Sequence, residues 1–256
     1  MQQPEPVEPT DQPSKADTAG CSDQASRRTV RGLRQVGTRI LRCVFVLLDL
    51  DWTLVDRDGA FDLWVEQFVQ DRRLDAAARR WLQATDRALP ERGAFFDAVV
   101  DYLGVAEDPR RLWARYRAVM PGLAQPFPGV LDGLRALREA GWRTGVVSNG
   151  RSDNQVGKLR ATGIADLVNG WWVSDGVGVR KPQRGIFDAA IAGLAADRTR
   201  TWMLGDDPIV DIGGGKAADL HTLWISHGRD WDHPDFFPDA VSWSSADAFS
   251  ALLDIE

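Results

Sequence analysis

Five short apolar runs set the frame for this chain: VFVLLD (44–49), WRTGVVSN (142–149), LVNGWWV (167–173), TRTWMLGDD (199–207) and HTLWIS (221–226). Each is too brief for a helix and apolar at successive positions, so both of its faces need covering. Between and after them come stretches with apolar residues three and four apart, such as PFPGVLDGLRALREAG (126–141), DNQVGKLRATG (153–163), RGIFDAAIAGLA (184–195) and DIGGGKAAD (211–219). AVSW (240–243) adds an edge strand and ADAFSALLD (246–254) a closing helix. Strands alternating with helices predict an α/β fold: a Rossmann-like, doubly wound parallel sheet covered on two sides.

The first crossover breaks the rhythm. About 70 residues separate Asp56 from Phe127, and they carry helical rather than loop character. AFDLWVEQFVQD, LDAAARRWLQATDR, RGAFFDAVVDYLG and DPRRLWARYRAVM all show the helical period, the last opening with an aspartate cap and a first-turn proline at Asp108-Pro109. We expect an all-helical cap subdomain at 56–126, inserted into a core formed by 43–55 and 127–256. Open parallel sheets bind ligands beyond the carboxyl ends of their strands, so the insertion should lie over that edge. Its Trp64, Phe68, Trp81, Phe95, Phe96 and Trp113 are expected in its own core.

The first 26 residues are rich in Pro, Gln, Ser, Thr and acids, the composition of a disordered tail. Residues 27–42 form a leader with six arginines and no acid. No apolar segment follows Arg27-Arg28, as twin-arginine export would need. Two cysteines, Cys21 and Cys43, make no disulfide framework, and no apolar run is long enough for a membrane span. A cytoplasmic protein, monomeric or homodimeric, is the plain expectation. A formal charge of −6 gives no reason to expect a nucleic-acid partner. Lysine is scarce, at Lys15, Lys158, Lys181 and Lys216 alone.

Polar groups gather where the strands end. The first run closes on Asp49 and Asp51, with Thr53 beyond, and the second on Ser148-Asn149-Gly150. Lys181-Pro182 precedes a helix, and Gly205-Asp206-Asp207 ends the fourth run with Asp211 following. A parallel sheet brings all of these to one edge. Carboxylates crowded there repel one another unless a cation neutralises them. An all-oxygen donor set, without a His or Cys cluster, favours Mg2+. Thr53, Ser148 and Lys181 suit an anion with several acceptor oxygens.

These four segments, in this order, resemble the motifs of the haloacid dehalogenase-like superfamily, in its magnesium-dependent, phosphoglycolate phosphatase-like branch with a helical cap after the first strand. DLDWTLVD, VVSNG, Lys181-Pro182 and GDDPIVDIGGGKAA are similar to the first through fourth motifs. The resemblance covers Cys43 to the C-terminus. It implies that Asp49 is the nucleophile, forming an aspartyl-phosphate, and that Asp51 protonates the leaving oxygen and then activates water. Mg2+ would be held by Asp49, the backbone carbonyl of Asp51 and Asp206, with Asp211 as a further ligand or a carboxylate behind the ligands. Thr53, Ser148, Asn149 and Lys181 would bind the phosphoryl group. The implied activity is hydrolysis of a small soluble phosphorylated metabolite, such as phosphoglycolate, a sugar phosphate or a nucleotide. A sugar-phosphate mutase using the same two aspartates, or a non-catalytic protein retaining the fold, are the alternatives. Asp51 argues against the carbon–halogen branch, where the leaving group needs no proton. The absence of lysine from the insertion argues against the phosphonate branch.

Trp52 departs from the family, which usually places glycine or a small or polar residue there. His221, His227 and His233 follow the motifs and are expected at strand starts or the surface. Arg115 and Arg117 are candidates to face the site and read a second anionic group. Gly213-Gly214-Gly215 matches no phosphate loop and is expected to let its helix approach the sheet.

Overall fold

The computed structural model describes residues 44–89 and 91–255. The tail (1–26), the arginine-rich leader (27–42) and both cysteines lie outside the described residues. The chain runs β1 (Phe45–Leu48), α1 (Arg57–Arg72), α2 (Ala76–Ala88), α3 (Arg92–Leu103), α4 (Pro109–Leu123), α5 (Val130–Glu139), β2 (Arg143–Ser148), α6 (Ser152–Ala161), β3 (Gly170–Val173) and α7 (Ser174–Val177). It continues through α8 (Arg184–Leu194), β4 (Thr201–Gly205), α9 (Gly214–Ala217), β5 (His221–Ile225), β6 (Ala240–Ser242) and α10 (Ser245–Leu253).

The six strands form one parallel sheet in the order β3-β2-β1-β4-β5-β6. β1 is central, with Phe45 in register with Arg143 of β2 and with Thr201 of β4. Its apolar run serves both faces by alternation. Val46 and Leu48 enter a core with Leu134 of α5, Leu159 of α6 and Phe249 of α10. Phe45 and Leu47 enter a second core with Ile186, Phe187 and Leu194 of α8. A strand wetted on neither face needs no polar alternation. Strand order reverses beside β1, which opens a crevice between the carboxyl ends of β1 and β4.

The four helices α1 to α4 all fall between β1 and α5 and share a separate apolar cluster. Phe61, Trp64, Phe68, Leu82, Phe95, Phe96, Tyr116 and Met120 fill it. Asp56, Asp75, Glu91 and Asp108 each cap one helix by accepting from first-turn N–H groups, and Pro109 opens α4. The segment leaves and returns at one point: the Asp56 amide donates to the Gln125 carbonyl at 2.9 Å, and Val55 bridges Pro126. Trp81 is only partly buried and stacks on the exposed Tyr102, so it belongs to the rim of that cluster.

DIGGGKAAD forms less helix than its pattern predicts. A π-helical turn, Pro208–Gly213, precedes the four-residue α9. Close approach explains the glycines: a Cβ at Gly215 would stand 3.0 Å from both Met203 of β4 and Thr222 of β5. The run is kept against the sheet at the expense of helix propensity.

Candidate active site

Beyond Leu48 the chain makes a tight loop. The Leu54 and Val55 amides both donate to the Leu50 carbonyl, and the Trp52 amide donates to the Val55 carbonyl. Trp52 is left-handed at φ 58°, a conformation costing a side-chain-bearing residue about 1 kcal/mol relative to glycine. Two contacts hold it there. His227 Nε2 donates to the Trp52 carbonyl at 2.7 Å, and the Arg57 guanidinium lies 5.1 Å from the indole centroid.

The loop presents Asp49 and Asp51 to a cleft of about 1510 Å³ that Ser148, Asn149, Lys181, Asp206 and Asp211 also line. Carboxylate oxygens of Asp49, Asp206 and Asp211 lie within 4.8 Å of one another, and all three residues are buried. Lys181 Nζ donates to Asp49 Oδ1 at 2.5 Å and to Asp211 Oδ1 at 2.6 Å. Arg229 reaches Asp206 Oδ2 at 3.1 Å. Gly205 makes room for this: a Cβ there would lie 2.3 Å from Asp211 Oδ2.

Two cations do not balance the crowding. Burial, the Asp211 charge and Asp51 raise Asp49 to about 7 even against Lys181. Burial and Asp49 raise Asp206 to about 7 against Arg229. Burial and Asp206 raise Asp211 to about 6, again against Lys181. Burial works against the Lys181 charge, but Asp211 and Asp49 outweigh it and hold the ammonium well above its ordinary value. The three carboxylates supply hard oxygen donors with excess negative charge, which fits a divalent cation such as Mg2+.

Asp51 stands apart from this cluster. Its Oδ1 accepts from Lys158 Nζ at 2.6 Å and its Oδ2 from Gln155 Nε2 at 2.9 Å. Burial alone would raise its pKa, but the charge and hydrogen bond of Lys158, with Gln155, hold it below the usual carboxylate range. The two aspartates beyond β1 thus have different partners on different elements.

The other candidates fall as follows. Ser148 Oγ is buried and accepts from Gln155 Nε2 at 2.7 Å. The Asn149 amide closes a ring on the Lys181 backbone, accepting from its N–H at 2.8 Å and donating to its carbonyl at 3.0 Å. It therefore fixes the segment that carries the lysine. Thr53 is fully buried and does not line the cleft; its Oγ1 has no hydrogen-bond partner.

Further cleft residues escape a reading of the sequence. Gln155, Lys158, Arg57, Arg92 and Arg229 all line it, as does His227, which the sequence places merely at the surface. Trp113 and Arg117 line it together, with the guanidinium 4.8 Å from the indole centroid. Arg115 instead pairs with Glu107 on the exposed side. One signal for Gln155 and Lys158 was available. They are one helical turn apart in a helix that starts at the Ser148-Asn149-Gly150 strand end, and lysine is scarce in this chain.

Comparison with known proteins gives concordant matches. The family model described as haloacid dehalogenase-like hydrolase matches residues 45–219. The pyrimidine 5'-nucleotidase YjjG of Escherichia coli is 34% identical over 137 residues, covering 53% of this chain and 60% of that protein. The glyceraldehyde 3-phosphate phosphatase of Pyrococcus abyssi is 33% identical over 194 residues, covering 72% of this chain and 82% of that protein. Among solved structures, YfnB of Bacillus subtilis bound to magnesium superposes with a TM-score of 0.74 at 22% identity, covering 84% of this chain and all of that one.

Proposed function

The chain belongs to the haloacid dehalogenase-like hydrolases, and from that premise we propose that it is a Mg2+-dependent phosphomonoesterase. Its substrate is a small soluble phosphorylated metabolite, cleaved through an aspartyl-phosphate on Asp49. The carrying observation is the division of labour at the end of β1. Asp49 sits in an electron-rich carboxylate cluster gripped by Lys181, while Asp51, two residues on, faces the same cleft on partners of its own. The phosphatase and nucleotidase names of the two relatives support ester chemistry.

Asp49, Asp206 and the backbone carbonyl of Asp51 would hold the ion, with Asp211 as a further carboxylate bound to Lys181. Bound Mg2+ supplies charge neutralisation between the nucleophile and the phosphoryl oxygens. The Asp49 oxygen attacks phosphorus in line with the leaving oxygen. Lys181 screens the repulsion between that anion and the incoming phosphate dianion. Ser148, its oxygen already accepting from Gln155, is left to donate its own proton to a phosphoryl oxygen. Asp51, ionised in the free cleft on Lys158 and Gln155, takes up a proton as the phosphate dianion enters, passes it to the departing oxygen and then takes one from the water that hydrolyses the acyl phosphate. The protein is expected to act in the cytoplasm; among the described residues no helix is long and apolar enough to cross a membrane.

Phosphate release from a panel of phosphomonoesters, with Mg2+ and after exhaustive chelation, tests this. Release that depends on the ion is the expected result. Turnover that survives chelation overturns the metal role, and substrate isomerisation with little free phosphate replaces the hydrolase with a mutase.

A further inference from the structure

Asp49 and Asp51 are separated by one leucine, yet only Asp49 joins the carboxylate cluster. What keeps the second side chain out is visible in α6. Lys158 Nζ takes one Asp51 oxygen at 2.6 Å and Gln155 Nε2 takes the other at 2.9 Å, so both oxygens are engaged and the carboxylate plane is fixed. Neither partner is a floating surface group: Lys158 is 3% exposed and Gln155 1%. The Gln155 nitrogen also donates to Ser148 Oγ at 2.7 Å, which ties the direction of Asp51 to that of a neighbouring hydroxyl. The helix itself is wedged in place. A Cβ at Gly157, between the two, would stand 2.6 Å from Pro121 of α4.

We propose that Lys158 and Gln155 are positioning residues that aim Asp51, keeping its carboxylate out of the metal-binding cluster and turned to the leaving-group oxygen. A short carboxylate beside a divalent cation is drawn to coordinate it, and a coordinated Asp51 no longer reaches the proton it must transfer. A misplacement near 1 Å is enough to lose on the order of 10²-fold in rate. The buried Lys158 ammonium supplies the competing attraction, and the glutamine removes the remaining rotation. This inference rests on Asp51 as the acid and base of the proposed phosphatase.

The test has a crystallographic arm and a kinetic arm. In Lys158→Met crystals grown with Mg2+, Asp51 is expected to swing toward Asp49 and Asp206; a carboxylate that stays where it is in the parent overturns the proposal. With an alkyl phosphate from the panel, whose leaving alkoxide needs a proton, and Mg2+, Lys158→Met should lower kcat by between about 10- and 100-fold at nearly constant KM, and by less on p-nitrophenyl phosphate. In an Asp51→Asn background the same change should add less than about threefold, since there is nothing left to aim. An equal loss in both backgrounds, or a loss confined to KM, makes Lys158 a substrate ligand and overturns the proposal. Gln155→Leu, which leaves no buried charge unpaired, repeats both arms at smaller amplitude should Lys158→Met not fold. If the parent releases no phosphate, the functional reading falls, and the orientation of Asp51 in the two crystals still decides this one.

Discussion

In the helical insertion Asp86 lies between Arg57 and Arg92, bound by both guanidiniums and buried with Arg57. At the sheet edge Asp49, Asp206 and Asp211 are divided between Lys181 and Arg229. Burial acts on both groups in the same sense, raising the carboxylates, but the outcomes are opposite. The hydrogen bonds and charge of Arg57, joined by Arg92, overcome burial and hold Asp86 below its ordinary value. At the edge the sum is still positive for the proton, and Asp49 and Asp206 stand at about 7. One cluster closes its own charge account and acts as a brace between α1, α2 and α3. The other is left deficient in positive charge, as the proposed cation site requires and a closed salt bridge does not.

Neutralising one carboxylate in each place separates them most sharply. Asp49→Asn should lose turnover on the order of 10⁴-fold or more, since it removes the nucleophile. In chelator its melting temperature should be unchanged or raised, because a repelling charge has gone. A melting temperature that drops by many degrees would assign Asp49 to the brace class. Lys181→Met should lower kcat by on the order of 10²- to 10³-fold with the fold intact; a change within about threefold puts its charge outside the reaction.

Asp86→Asn is the mirror case. Breaking a buried ion pair while leaving its cations in place should cost about 3 kcal/mol by denaturant unfolding. The kcat for p-nitrophenyl phosphate should change by less than about fivefold. Unaltered stability would show the triad to be a surface-like pairing.

Acidity gives the smallest and most diagnostic contrast. The edge carboxylates have folded pKa values raised above the unfolded 3.8, so their contribution is intact below about pH 4 and is lost as pH rises through 6 to 7. Metal-free protein should therefore melt several degrees lower at pH 8 than at pH 5.5. Mg2+ should recover most of that at pH 8 and little at pH 5.5. Asp86 is shifted the other way, so its support is present above pH 3.8 and is lost only as pH falls further. Melting curves across pH, with and without Mg2+, read both; an equal Mg2+ gain at the two pH values removes the distinction.

Much of this could be read from the residues in order. The five apolar runs announced β1 to β5, because strands covered on both faces carry few polar groups. Parallel pairing then carried Asp49, Ser148, Lys181 and Asp206 to one edge whatever lay between them. What the sequence concealed were the partners. Lys158 and Gln155 sit on a helix whose charged pattern looks like a solvated face, and only the packing of α4 on α6 shows that this face points inward. Arg57 and Asp86 lie on separate helices, and helical period says nothing about which helices meet. His227 reaches the site through a loop beyond β5, where no periodicity applies. The left-handed Trp52 was marked by its departure from glycine, while its support by His227 and Arg57 needed coordinates.

The central place of β1 also has a temporal side. The strand is the first of the sheet to be synthesised, yet its two neighbours begin at Arg143 and Thr201. At roughly 5–20 residues per second, FVLL waits on the order of ten seconds for both of its edges to be paired. During that interval α1 to α4 already possess a core of their own, built from contacts close in sequence. The insertion can thus pack while β1 still lacks β4, and β5, β6 and α10 follow later still. The loop after β1 that carries Asp49 and Asp51, made early, meets its last partner only when Ser245 of α10 reaches the Thr53 carbonyl.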